Sequence, residues 1–184
     1  MDIKMKKILI IVVAISLGLF ILFSLSSCGA GEKAAEKTRE EAIEEAIEEE
    51  SGGEVDITED TMTVESDEGE TVFSSKAELP EGFPADVPLY PDMTITSSMR
   101  STEDNKEVYY ITADISASGD EVVRWYDSKL TAMGWNIESE ITEEGENGKT
   151  TAIGARRGSY LLGLWIGDTD EGTSITLSVG EEES

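Results

Sequence analysis

The sequence predicts an α+β domain: an antiparallel sheet of about five strands with one amphipathic helix packed on one face, plus a small N-terminal β-hairpin. Three observations carry this expectation. From Met93 onward, short runs of alternating apolar residues recur with polar turns between them, so successive strands run antiparallel. Once, between Ser118 and Trp135, the apolar period changes from two to that of a helix. About 100 residues with this share of aromatics and branched aliphatics can bury a workable core.

Residues 1–27 read as a lipoprotein signal peptide. Lys4, Lys6 and Lys7 precede a charge-free, predominantly apolar run from Ile8 to Leu25, which ends at Ser26, Ser27 and the only cysteine, Cys28. Small residues at 26 and 27 let a peptidase reach the bond before Cys28, and the thiol is the nucleophile that takes a diacylglycerol. The run has 18 residues, so a retained transmembrane helix is the competing reading. Both readings place the residues after Cys28 outside the cytoplasm, because the lysines hold the N-terminus inside. The sequence therefore predicts a lipid-anchored protein on the extracytoplasmic face of the cell membrane.

Residues 28–53 form an acidic, partly helical tether. Glu32 to Glu50 is built almost wholly of Glu, Ala, Lys, Arg and Ile, but same-sign repulsion past Arg39 works against a firm helix. Ser51-Gly52-Gly53 breaks it. Residues 54–78 read as an exposed hairpin, with Val55, Ile57, Met62 and Val64 alternating before a turn at Asp67-Glu68-Gly69. Residues 79–184 make the globular α+β domain. It opens with Pro80, Pro84, Pro88 and Pro91, all four prolines of the chain, a stiff and extended stretch expected to lie across the core.

Strands run from Met93 to Met99 and from Glu107 to Ile115, the second with Tyr109, Ile111, Ala113 and Ile115 on one face. Ser118 and Glu121 have capping-box spacing. Val122, Tyr126, Leu130 and Met133 then form the apolar stripe of a helix. Gly134 is placed to take the left-handed position that ends it, with Trp135 folding back toward Leu130. Beyond the helix, strands run through Ile137, Thr150 to Arg156, Tyr160 to Ile166, and Ile175 to Val179.

The stretch Leu79-Pro80-Glu81-Gly82-Phe83-Pro84-Ala85-Asp86-Val87-Pro88-Leu89-Tyr90-Pro91, with Trp125-Tyr126 and Met133-Gly134-Trp135 further on, resembles a group of bacterial and archaeal envelope lipoproteins of uncharacterised function. They share an FPxDVPLYP-like segment and a helix ending in Gly-Trp. The resemblance implies an envelope location and carries over no activity.

Charge and composition exclude several functions. Forty acidic residues against 14 basic ones give a net charge of −26, which disfavours nucleic acid and anionic lipid headgroups. There is no histidine, so the commonest metal ligand and general base is missing. Asp168, Asp170 and Gly172 imitate the start of a calcium loop, but Val179 stands where the bidentate glutamate belongs; a hairpin turn is the simpler reading. Arg156 and Arg157 read as a strand end balancing acids. Trp125, Trp135 and Trp165 suit a carbohydrate platform or, at these spacings, a core. No catalytic residue, metal ligand or cofactor is assigned. The expected role is a non-enzymatic binding or interaction module with an envelope protein or cell wall as partner. The alternatives are a small-ligand or sensing domain with its pocket between helix and sheet and, less favoured, an acid/base hydrolase.

Overall fold

The computed structural model describes residues 48, 53–58, 60–66, 69–103, 106–145, 148–169 and 172–182. Leu25, Ser26, Ser27, Cys28 and nearly all of the tether lie outside the described residues. The chain divides into two compact units, Met1–Asp67 and Glu68–Ser184. In the first, β1 (Glu54–Ile57) and β2 (Thr61–Ser66) pair antiparallel, with Val55 opposite Val64. Both valines are buried, and Ile57 and Met62 pack beside them. Between the strands the Thr58 N–H donates to the Thr61 carbonyl at 2.8 Å, and the Thr61 N–H donates to the Thr58 hydroxyl at 3.1 Å.

The second unit holds β3 (Gly69–Ser74), β4 (Thr94–Glu103), β5 (Lys106–Ile115), helix α1 (Gly119–Ala132), β6 (Asn136–Gly145), β7 (Gly148–Arg157), β8 (Tyr160–Thr169) and β9 (Gly172–Glu181). Its strands lie in the order β3-β4-β5-β9-β8-β7-β6, antiparallel at every pairing. The sequence reading of about five strands is thereby corrected: nine strands are described, two in the first unit and seven in the second.

Two differences stand behind this, one of strand membership and one of strand length. Gly69–Ser74, read as part of a separate exposed hairpin, is a full partner of β4, with Phe73 opposite Met99 and Thr71 opposite Ser101. Strand ladders also run well past the apolar residues: β4 to β9 each span 10 residues. In β6 the polar end Thr142–Gly145 stays in register with β7, because backbone groups alone make the ladder. Those outward acids also suit a strand at the end of the order, where like charge discourages a stray chain from pairing.

One face of the sheet carries the core. Odd positions of β5 (Tyr109, Ile111, Ala113, Ile115) and β9 (Thr173, Ile175, Leu177, Val179) point the same way as even positions of β8 (Leu162, Leu164, Ile166), and all are buried. Helix α1 lays Val122, Tyr126 and Leu130 on that face, each at 0% exposure. At its C-terminus Gly134 takes φ +81°, the Trp135 N–H reaches the Leu130 carbonyl at 3.0 Å and the Gly134 N–H reaches Thr131 at 3.1 Å. That is the expected Schellman ending.

The N-terminus differs from expectation. The Ser118 side chain makes no cap hydrogen bond, and the Glu121 N–H bonds the Ser118 carbonyl at 3.0 Å. The cap comes instead from β8, where the Asp168 carboxylate accepts the Gly119 N–H at 2.9 Å. A carboxylate there also meets the positive end of the helix dipole. Lys149 of β7 pairs with Asp120 beside it. Asp168→Ala is expected to lower stability by about 1 kcal/mol, read as a smaller urea midpoint at unchanged m-value. Ser118→Ala is expected to change it far less.

The proline segment is a chain of turns where an extended stretch was expected. Hydrogen bonds close it at Pro80–Phe83 (3.2 Å), Pro84–Val87 (3.1 Å) and Tyr90–Met93 (3.4 Å). Gly82 at φ +82° and Asp92 at φ 58° supply the left-handed positions. It still lies across the core, with Val87 buried and Phe83, Leu89 and Tyr90 packed against the same cluster. No helix among the described residues is long and apolar enough to cross a membrane.

Candidate ligand-binding cleft

Where the proline turns meet the sheet, a cleft of about 180 Å³ opens, lined by Gly82, Pro84, Glu107, Tyr109, Tyr160 and Glu181. Strand register explains the grouping. Tyr160 lies directly opposite Glu181, and Val108 lies opposite Gly180, which brings Glu107 alongside Glu181 on the core side of the sheet. These residues form the last row of the core face, beyond the row Tyr109, Val179 and Leu162. The Gly82 turn lies over this row so closely that a Cβ there would come within 2.7 Å of the Tyr109 hydroxyl.

The polar groups are ordered. The Tyr109 hydroxyl donates to Glu107 Oε2 at 2.6 Å, and Arg100 Nη1 stands 4.0 Å from Glu107 Oε1. Arg100 itself is held by Glu70 at 2.6 Å. Phe83 meets the Tyr109 ring edge-on, with centroids 5.7 Å apart. Burial first, then the Glu107 carboxylate, pushes the Tyr109 phenol up to about 12. Tyr126, at the helix–sheet interface, is moved in the same direction by burial, with the Tyr90 backbone acting against it. Its hydroxyl makes no hydrogen bond of ordinary geometry.

A raised phenol pKa means that the unfolded chain loses its proton first, near pH 10. The stability carried by the neutral phenols is whole below that pH and is lost as pH rises toward the folded value. Alkaline titration followed at 295 nm is expected to show Tyr109 and Tyr126 ionising above the ordinary phenol range, together with unfolding. Ionisation of both near pH 10 in the folded state would contradict this.

Glu181, together with a Glu107 carboxylate shared with Arg100, gives the concavity a negative lining that suits a cation, and a strongly acidic chain raises the local cation concentration. The volume is below the 300–1,000 Å³ usual for drug-sized ligands, so the cleft suits a small ligand or the head of a larger one. Among the described residues no group of three or more Asp, Glu, Cys or His is placed to hold a metal ion.

The residues singled out from sequence are dispersed. Trp135 is 4% exposed and donates its Nε1–H to the Asp86 carbonyl at 3.2 Å. Trp125 stacks edge-on with Tyr90 and Tyr126 at 5.2 and 4.8 Å. Trp165, by contrast, is 49% exposed on the other face of the sheet. Asp168 is a helix cap. Arg156 pairs with Glu138 at 2.9 Å and with Glu182, and Arg157 pairs with Asp86 at 3.1 Å. The helix–sheet interface, where the alternative reading places a pocket, is packed with Val122, Tyr126 and Leu130.

The cleft residues were missed because Gly82, Glu107, Tyr160 and Glu181 come from four separate segments with no shared motif. The usable signal was the row beyond Tyr109, readable only once β5, β9 and β8 are put in register. A family model described as START domain-like matches residues 95–182, from β4 through β9. No curated protein and no solved structure matches the chain. The chain is thus similar to a class of domains that in general bind ligands rather than catalyse reactions.

Proposed function

We propose that this chain is a membrane-tethered, non-catalytic module of the cell envelope that binds a small organic cation. The observation that carries the reading is the cleft, in which Glu107 and Glu181 face a space walled by Tyr109 and Tyr160. Similarity to START-like domains supports ligand binding. The Lys-rich leader, the apolar run and the box ending at Cys28 support export and a lipid anchor. An acid/base hydrolase would need a carboxyl free to move a proton. Of the two cleft carboxylates, Glu107 has one oxygen on the Tyr109 hydroxyl and the other toward Arg100, which leaves Glu181 without the second free carboxyl that two-carboxylate hydrolysis needs.

Calorimetric titration of the protein with choline and with tetramethylammonium is the test. Saturable binding is expected, weakened roughly tenfold by Glu181→Gln and by Glu107→Gln. Absence of binding at roughly millimolar ligand, or full affinity in the double variant, overturns the ligand assignment. The anchor is tested separately, by mass spectrometry of the N-terminal peptide and by fractionation of Cys28→Ser, which is expected to leave the membrane.

A further inference from the structure

Opposite the core, the sheet presents a face that α1 does not cover. Six large apolar side chains are exposed among the described residues, and four of them, Tyr110, Ile141, Leu161 and Trp165, lie on this one face. Two adjacent rows cross five strands here. One reads Tyr110, Ser178, Gly163, Gly154, Ser139; the next reads Thr112, Thr176, Trp165, Ala152, Ile141.

Three features of the rows decide what fits them. Neither row contains a charged residue, in a chain with 54 charged side chains among 184. In the first row neighbouring side chains close over the two glycines. A Cβ at Gly163 would stand 2.8 Å from Ser178 Oγ and 3.0 Å from Trp165 Cζ3, and one at Gly154 would stand 2.6 Å from Ser139 Oγ. The Trp165 indole therefore lies back along its own strand over Gly163 and stays half exposed, a flat ring surface that shares its two rows with the hydroxyls of Ser178, Ser139, Thr176 and Thr112.

An extended, uncharged, hydroxyl-bearing ligand with flat apolar faces matches this surface. Exposed indole and phenol rings stack on the C–H faces of a pyranose, and the hydroxyls exchange hydrogen bonds with its rim. A second copy of a chain at −26 meets long-range repulsion. A polyanion meets the same field. We propose that this face docks a linear, uncharged polysaccharide strand, with Trp165 as the principal stacking residue and Tyr110 as the second. It is separate from the cleft, which lies on the core side of the sheet.

The test uses the full chain in detergent micelles, titrated with cellohexaose and with chitohexaose and followed by tryptophan fluorescence. The two oligosaccharides distinguish a plain glucan from an N-acetylated strand. At least one is expected to bind saturably, with affinity falling roughly tenfold in Trp165→Ala and severalfold in Tyr110→Ala at unchanged thermal midpoint. Glu107→Gln is expected to leave this binding intact. Failure of both sugars to bind, or full affinity in Trp165→Ala, overturns the proposal. So does sedimentation showing a dimer that Trp165→Ala dissolves, which assigns the face to a second copy.

Discussion

Leu177→Ala is expected to cost about 3–5 kcal/mol of unfolding free energy, read as a lower urea midpoint. Leu177 is fully buried, flanked across β5 by Ile111 and across β8 by Leu164. Helix α1 covers the sheet with Val122, Tyr126 and Leu130, so truncation opens a space that the rigid sheet cannot close. The chain has one cysteine and therefore no internal disulfide to compensate. A loss below about 1 kcal/mol would mean that the helix–sheet interface is loosely filled and able to collapse or to admit a ligand.

Gly172→Ala is expected to cost about 2–3 kcal/mol for a different reason. Gly172 starts β9 with φ +144°, and a Cβ there would lie 2.4 Å from the Ile115 carbonyl oxygen. The obstacle is backbone on both sides, since Gly172 begins β9 and Ile115 ends β5. These strands join the two halves of the sheet, and Thr173 next to the glycine donates its hydroxyl to the Ala117 carbonyl at 2.7 Å. Strain there reaches the start of α1. Thermal unfolding compared with Gly158→Ala separates the causes, because Gly158 at φ +62° has nothing within 4 Å of its Cβ position. Equal losses in the two variants would show that backbone angle alone, and not the close approach, sets the cost.

Local determinants of the fold were legible from sequence. The C-terminal end of α1 is written in Met133-Gly134-Trp135, and the alternation of Tyr109, Ile111, Ala113 and Ile115 assigned the buried face of β5 correctly. The features that escaped were set by residues distant in sequence. The Ser118 box looked complete in isolation, yet Asp168 from β8 occupies the helix N-terminus. Four prolines suggested an extended stretch, but Gly82 and Asp92 admit left-handed angles and fold it into turns. Strand length was underestimated because Thr and Glu at strand ends carry no apolar signal, although their backbone groups complete the ladder. Trp165 had core spacing like its neighbours; only the register shows that Leu162, Leu164 and Ile166 take the inner face and leave it outside. The cleft is the extreme case, since its chemistry exists only where four segments meet.

Amide chemical-shift mapping during titration with choline distinguishes the two possible places for a ligand in one experiment. Binding at the cleft is expected to move Gly82, Glu107, Tyr109, Tyr160 and Glu181 while leaving Val122, Tyr126 and Leu130 unperturbed. Shifts centred on the helix residues, with the cleft silent, would place the ligand between helix and sheet and contradict a packed interface there.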